Sequence, residues 1–254
     1  MTDRPIIFSA PMVRALLAGR KTMTRRLAWR ASLVDTPGNV RARRVGHLFQ
    51  QASPWQRVQP GDRLWVRETF WIAEKYSYGC SPSGEEINPP PLAHRSGDLV
   101  HFAAAGDPPN VSNRHYPGGL RDGSGAFAAP DPYAIWRLFP SIHMPRWASR
   151  LTLVVTAVRV ERLQAISETD AQAEGMVFVN HGTGAYGRAR DGWHSDSAEA
   201  AKGPDYCLST ARFAFANLWG SLHGAGSWAA NPEVVALTFT VHQHNIDTTE
   251  RAAA

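Results

Sequence analysis

The chain has 254 residues, 43% of them hydrophobic and 19% charged, and a formal net charge of +5. That size suits one large domain or a domain with a big insertion, and the apolar fraction, with nine Trp, excludes a disordered chain. Charge is uneven: residues 1–67 hold 13 Arg/Lys against 3 Asp/Glu, a net +10, and residues 68–254 hold 14 against 19, a net −5. A basic N-terminal third suits an anionic partner such as a nucleotide or nucleic acid, or else forms a solvated basic face. Cys80 and Cys207 are the only cysteines, too few for a disulfide framework or a CxxC metal pair, which fits a reducing compartment. Pro11 and Arg14 interrupt the short apolar run near the N-terminus, so a secretory signal is not expected. No stretch approaches the roughly 18 apolar residues of a membrane span. The expectation is a cytoplasmic protein with no membrane partner.

Four segments carry order signals. In 4–30, "PIIF" is a short β-type run, Ser9 can cap a helix starting near Pro11, and Val13, Leu16 and Leu17 follow helical spacing. Gly19 is placed to end that helix in the left-handed conformation just before Lys21, and an extended stretch over 22–27 follows. In 58–72, Pro60-Gly61-Asp62 reads as a turn. The alternation after it puts Arg63, Trp65, Arg67, Thr69 and Trp71 on one strand face, and Leu64, Val66, Glu68, Phe70 and Ile72 on the other. In 149–179, "SRLTLVVTAVRVERL" is a long strand, apolar on both faces at its start and therefore central. "SETDAQAEG" is then a short helix with Ser167 as N-cap, Asp170 three residues on and Gly175 at its end. In 207–241, an amphipathic helix over roughly 208–222 precedes the strand "EVVALTFTV". Between these segments, 73–147 and 181–206 are rich in Pro, Gly and Ser, with one strand expected at 98–104. Aperiodic runs beyond about 15 residues read as insertions on a smaller β-rich core. Residues 1–246 read as a single domain and 247–254 as a flexible tail.

Most chemical motifs are eliminated by context. "GTGAYG" at 182–187 matches GxGxxG, but "RARDGWHSD" after it cannot make the amphipathic helix that a dinucleotide site requires. A GxSxG elbow and the zinc deaminase signature are absent. His242 and His244 share a strand face without an evident third ligand, so no metal and no cofactor are expected. The Arg/Trp face of 63–71 can stack bases and hold phosphates, or can be a structural face with arginines packed along tryptophans. Glu68 falls on the apolar face, where a carboxylate needs a partner; it is either a core ion pair or a site residue.

The most specific stretch is "GRKTMTRR" at 19–26, which holds one of only three lysines, Lys21, Lys75 and Lys202. Placed after a capped helix, it resembles the GxKxxTxR signature of the ASCH (activating-signal-cointegrator homology) family, a branch of the PUA-like superfamily. "PGDRLWVRE", "LVVTAVRVERLQAISETDAQAEGM", "FANLWGSL" and "NPEVVALTF" are similar, in order, to the rest of that family's core. "PIIFSAPMVRALLAGRKTMTRR" and "SIHMPRWASR" look more narrowly like long members from phages and prophages. The resemblance covers roughly 130 residues and leaves both insertions outside. It implies an α+β fold: a PUA-like, partly closed β-barrel with short helices at the rim and two loop-rich insertions. It also implies an activity, because some short bacterial members are amidohydrolases that remove the acyl group from N(4)-acetylcytidine. Carried over by motif, the catalytic set is Lys21, Thr24 and Glu174, with Arg26 as the trailing arginine that positions substrate. Arg63, Trp65, Arg67, Glu68 and Trp71 are the further substrate-binding candidates. The implied partner is a small-molecule nucleoside. RNA or single-stranded nucleic acid is the alternative, since the family is also linked to RNA binding and one branch to RNA cleavage.

Elementary chemistry sets conditions on that set. Threonine attacks an amide only with a base to take its proton, and a lysine can be that base only when neutral. Its pKa must fall from ~10.4 to about 7–8, a change of ~4 kcal/mol. Burial and the neighbouring Arg20, Arg25 and Arg26 act in that direction. Glu174 sits at a helix C-terminus, where the dipole disfavours an anion by about 0.3–1 kcal/mol, which suits a proton donor. An exposed glutamate at a frayed end is the plainer reading. In a regular strand Lys21 and Thr24 point to opposite faces, so the backbone must bend or bulge at 21–23 for the two to meet.

Overall fold

The structure is a computed structural model that describes residues 1–32, 42–45, 48–74, 99–114, 116–120, 126–130, 135–183, 189–196 and 200–248. Lys75, Cys80, most of "GTGAYG" and most of the expected tail lie outside the described residues.

The fold is α+β, rich in strands and poor in helices. A five-stranded sheet curls as a half-barrel in the order β1-β6-β11-β14-β2. Its strands are β1 (Asp3–Ile7), β2 (Met23–Leu27), β6 (Arg63–Arg67), β11 (Thr152–Arg162) and β14 (Glu233–His242). The apolar start of "LTLVVTAV" places β11 in the middle of the order, as its two-faced hydrophobicity requires. Three smaller sheets accompany it. β3 (Trp29–Ser32), β4 (Ala42–Val45) and β5 (Leu48–Ala52) form one, with β5 central. β7 (Phe70–Glu74), β8 (Val100–Phe102), β9 (Phe127–Ala128) and β10 (Ile135–Phe139) form the second, in the order β8-β7-β10-β9. β12 (Val177–Thr183) and β13 (Ala189–His194) form a hairpin with a register shift between Asn180 and Thr183. The α-helices that lie wholly within the described residues are α1 (Ala10–Leu17), α2 (Glu168–Ala173) and α3 (Ala211–His223).

The chain divides into two compact units. One comprises Met1–Arg4, Ala15–Leu64 and Leu153–His242, and the other Pro5–Arg14, Trp65–Thr152 and Gln243–Ala254. In the first unit α2 and α3 pack together around Leu163, Ile166, Ala171, Met176, Phe215 and Trp219. Thr210 caps α3 by accepting the Phe213 N–H, and the Glu168 carboxylate accepts the Ala211 and Arg212 N–H groups at 2.6 and 3.1 Å. The helix therefore begins three residues later than its hydrophobic spacing suggests, where its donors find acceptors.

In the second unit β7 is covered on both faces. Phe70 and Ile72 join Phe139, Met144 and Ala148, whereas Trp71 and Ala73 join Ala129 and Trp136. This corrects the reading of 63–72 as one strand. The alternation of Leu64, Val66, Glu68, Phe70 and Ile72 is real, and all five are buried. Strand pairing stops at Glu68 and Thr69, however, and the two halves belong to different sheets. Alternation reports which side chains face inward; it cannot report that the backbone changes partners.

Candidate functional site

The site is built on the first unit, where "GRKTMTRR" meets the end of α2. Gly19, at φ 70°, ends the turn after α1, with the Gly19 N–H donating to Leu16 O and the Arg20 N–H to Ala15 O, both at 3.0 Å. That cap turns the chain sharply, and Lys21 leaves it in an antiparallel bridge with Glu174. Thr22 then changes partners: its N–H donates to Ala173 O at the end of α2, and its C=O accepts from Phe239 of β14, each at 2.9 Å. Regular pairing begins at Met23, opposite Thr238. The stretch 20–26 is therefore not one continuous strand.

Lys21 is 1% exposed and Glu174 is 4% exposed, which overturns the reading of Glu174 as an exposed residue at a frayed end. The Lys21 Nζ donates to Glu174 Oε2 at 2.7 Å and to the Glu174 backbone oxygen at 2.8 Å. Gly175 makes this approach possible: its φ is +101°, and a Cβ there would lie 3.1 Å from the Ala15 Cβ and 3.2 Å from the Lys21 Cβ. Arg20 adds a bond from its guanidinium to Gly175 O at 2.9 Å. One backbone bond, from Thr22 to Ala173, and three side-chain bonds, from Lys21 and Arg20, thus hold the lysine's stretch against the end of α2.

The second oxygen of Glu174 belongs to Arg25, whose Nη1 lies 3.2 Å away. Arg25 lies opposite Ala236 of β14, and that small residue leaves its long side chain room to cross toward β11. There its Nη2 donates at 2.7 Å both to Glu161 Oε1 and to Asp170 Oδ2. Arg159, half exposed, closes the outer edge with a 2.7 Å bond to Asp170. A line of alternating charge thus runs from solvent to the buried lysine. Burial lowers the Lys21 pKa, Glu174 opposes that, and Arg26 and Arg25 push it down again; the net direction is downward. Burial works against the Arg25 charge, but the three carboxylates outweigh it. The Asp170 pKa is held low against some burial by Arg159 and Arg25.

Thr24 is buried in β2 opposite Leu237. Among the described residues no hydrogen bond joins its hydroxyl to Lys21 or Glu174. Arg26, next along β2, lies with its guanidinium 5.7 Å from the Trp55 ring centre. The remaining candidates lie elsewhere. Arg63 is a buried member of a bidentate ion pair with Asp3, at 2.8 Å for both bonds. Trp65, Arg67, Glu68 and Trp71 belong to the second unit. Glu68 is buried in an ion pair: burial pushes its pKa up, and Arg150 holds it at 2.9 and 3.0 Å. Trp71 packs edge-on against Phe127 within the core, so its faces are covered. Trp65 and Arg67 are half buried and lie against one another at 5.4 Å, and Arg67 Nε is buried without a hydrogen bond.

Sequence reasoning named Arg25 only as a cation near Lys21 and missed its contacts with Glu174, Glu161 and Asp170. One signal was present: Arg159 and Glu161 alternate at the end of β11, where a purely structural strand end has no need of a charge pair on one face. Among the described residues no group of three His, Cys, Asp or Glu side chains is arranged to hold a metal ion, and no helix is long and apolar enough to cross a membrane. Set against family models, curated proteins and solved structures, the chain matches none.

Proposed function

We propose that the protein is an amidohydrolase that removes the acyl group from N(4)-acylated cytidine or a related modified nucleoside, as its resemblance to the ASCH family implies. The observation that carries this reading is the buried contact between Lys21 and Glu174, 153 residues apart in sequence and 2.7 Å apart in space. A phosphate-binding lysine needs solvent; a lysine 1% exposed with a lowered pKa is suited instead to proton transfer.

In this mechanism neutral Lys21 takes the Thr24 hydroxyl proton as Oγ attacks the acyl carbon. The carbon–nitrogen bond breaks, and the departing amine receives a proton from the Lys21–Glu174 pair. Water then attacks the acyl-threonine ester and gives a proton to the pair, the pair passes that proton to Thr24 Oγ as the ester bond breaks, and the carboxylic acid is released with Lys21 neutral again. The sum is amide plus water giving amine plus acid. Arg26, which lies beside Trp55, positions the nucleoside in this reading, and substrate entry is required to bring the Thr24 hydroxyl within reach of Lys21.

The test is to incubate the protein with N(4)-acetylcytidine and with single-stranded RNA in parallel. Release of cytidine and acetate is expected, with RNA left intact. Salt-dependent RNA binding without deacylation would replace this reading with a nucleic-acid-binding module, and RNA cleavage would replace it with a ribonuclease.

A further inference from the structure

We propose that Arg25 is the positioning residue of the Lys21–Glu174 pair: it occupies one oxygen of Glu174 so that the other meets Lys21, and its fixed charge primes the ammonium to give up its proton. This inference rests on the hydrolase reading only for its purpose, not for its geometry. Two cations share one carboxylate, with Lys21 on Oε2 at 2.7 Å and Arg25 on Oε1 at 3.2 Å. Lysine can release a proton and arginine cannot, so the lysine bears the whole consequence of their repulsion.

The charge on Arg25 is itself held in place. Glu161 from β11 and Asp170 from α2 each take its Nη2 at 2.7 Å, and Phe215 of α3 lies 5.9 Å from its guanidinium carbon. The charged groups around Lys21 are thus Glu174 at the end of α2, Arg20 beside it in the chain, and Arg25 and Arg26 on β2. Behind Arg25 stand Glu161, Asp170 and, at the solvent edge, Arg159. Arg26 is within electrostatic reach of His223 on α3. A guanidinium serving only as structural glue would need the carboxylates but not the lysine; here the same carboxylate serves both.

The arrangement makes an unusual demand on mutants: opposite charge changes must move Lys21 in opposite directions. The chain has only three lysines, so lysine labelled with 13C at Cε yields three signals, and Lys21→Arg identifies the one from Lys21. In Arg25→Gln the Lys21 titration midpoint should rise by about one pH unit. Arg25→Lys keeps a cation and should restore a low midpoint. Asp170→Asn strips an anion from Arg25 and should lower the midpoint further. Asp170→Asn also serves if Arg25→Gln does not fold. A Lys21 midpoint that stays put in both, or that moves the same way in both, overturns the role assigned to Arg25. Because the titration reads a proton and not a product, it stands apart from the hydrolase assay. Shifts as described with no deacylation would remove the hydrolase reading alone, and turnover with an unmoved midpoint would remove only the role of Arg25.

Discussion

Two buried glutamates in this molecule solve the same problem differently. Glu68, in the second unit, gives both oxygens to one guanidinium, Arg150, which in turn lies 4.0 Å over the Phe102 ring. That pair is closed: one anion, one permanent cation, two parallel bonds. Glu174, in the first unit, divides its oxygens between an arginine and a lysine, and the lysine is buried in a place that disfavours its charge. The closed pair stores no transferable proton, whereas the divided one does. Burial of a carboxylate alone therefore does not mark a site; its partners decide.

The contrast can be broken first at Lys21. Lys21→Arg keeps the charge and removes the removable proton, so deacylation should fall about 10²–10⁴-fold, measured as kcat on N(4)-acetylcytidine. Arg150→Ala should cost about 3 kcal/mol in urea unfolding, at the low end for a broken buried pair because Arg150 is partly exposed, while Lys21 keeps its titration midpoint. Gly175→Ala, which forces a side chain against Ala15 and Lys21 at positive φ, should cost about 1–3 kcal/mol and should also reduce turnover, since it moves the Glu174 backbone.

pH dependence sharpens the same comparison, because the two sites tilt stability in opposite senses. The Lys21 pKa is lowered from 10.5, so between its folded value and 10.5 the unfolded chain binds the extra proton and stability rises with pH. Lys21→Arg should remove that rise from alkaline unfolding curves. The Glu68 pKa is raised from 4.5, so its contribution is full below 4.5 and is lost as pH rises through the folded value; Glu68→Gln should flatten that acid-side fall. The smallest effect is expected at Thr210→Ala, about 1 kcal/mol from the lost cap of α3, with turnover unchanged.

Local signals served well where local physics decides. The Gly19 and Gly175 helix ends, the Ser167 cap, the central position of β11 and the short strand near residue 100 all follow from capping chemistry and periodicity. The break in pairing near 21–23 was expected on another ground, the need for Lys21 and Thr24 to meet, which a regular strand would prevent. What stayed hidden was long-range. Alternation could not separate β6 from β7, because both halves bury the same parity of residues, and it could not show that Phe127, Ala129 and Trp136 pack against Trp71. The link between Lys21 and Glu174 was legible only through family resemblance, and Arg25 was legible only as one of three cations near Lys21, not as the partner of Glu174. Its partners lie 136 and 145 residues away, and nothing in "TRR" distinguishes the arginine that turns inward from the one beside Trp55.

The central claim is that Thr24, activated by Lys21, carries the acyl group between amide and water. Acid quench during turnover of N(4)-acetylcytidine, followed by peptide mass spectrometry, tests it most directly. The account predicts an acetyl group on Thr24, absent from the Lys21→Arg protein. Acetate release with no acetyl on Thr24, an acetyl on Lys21 instead, or no acetate release at all would contradict it.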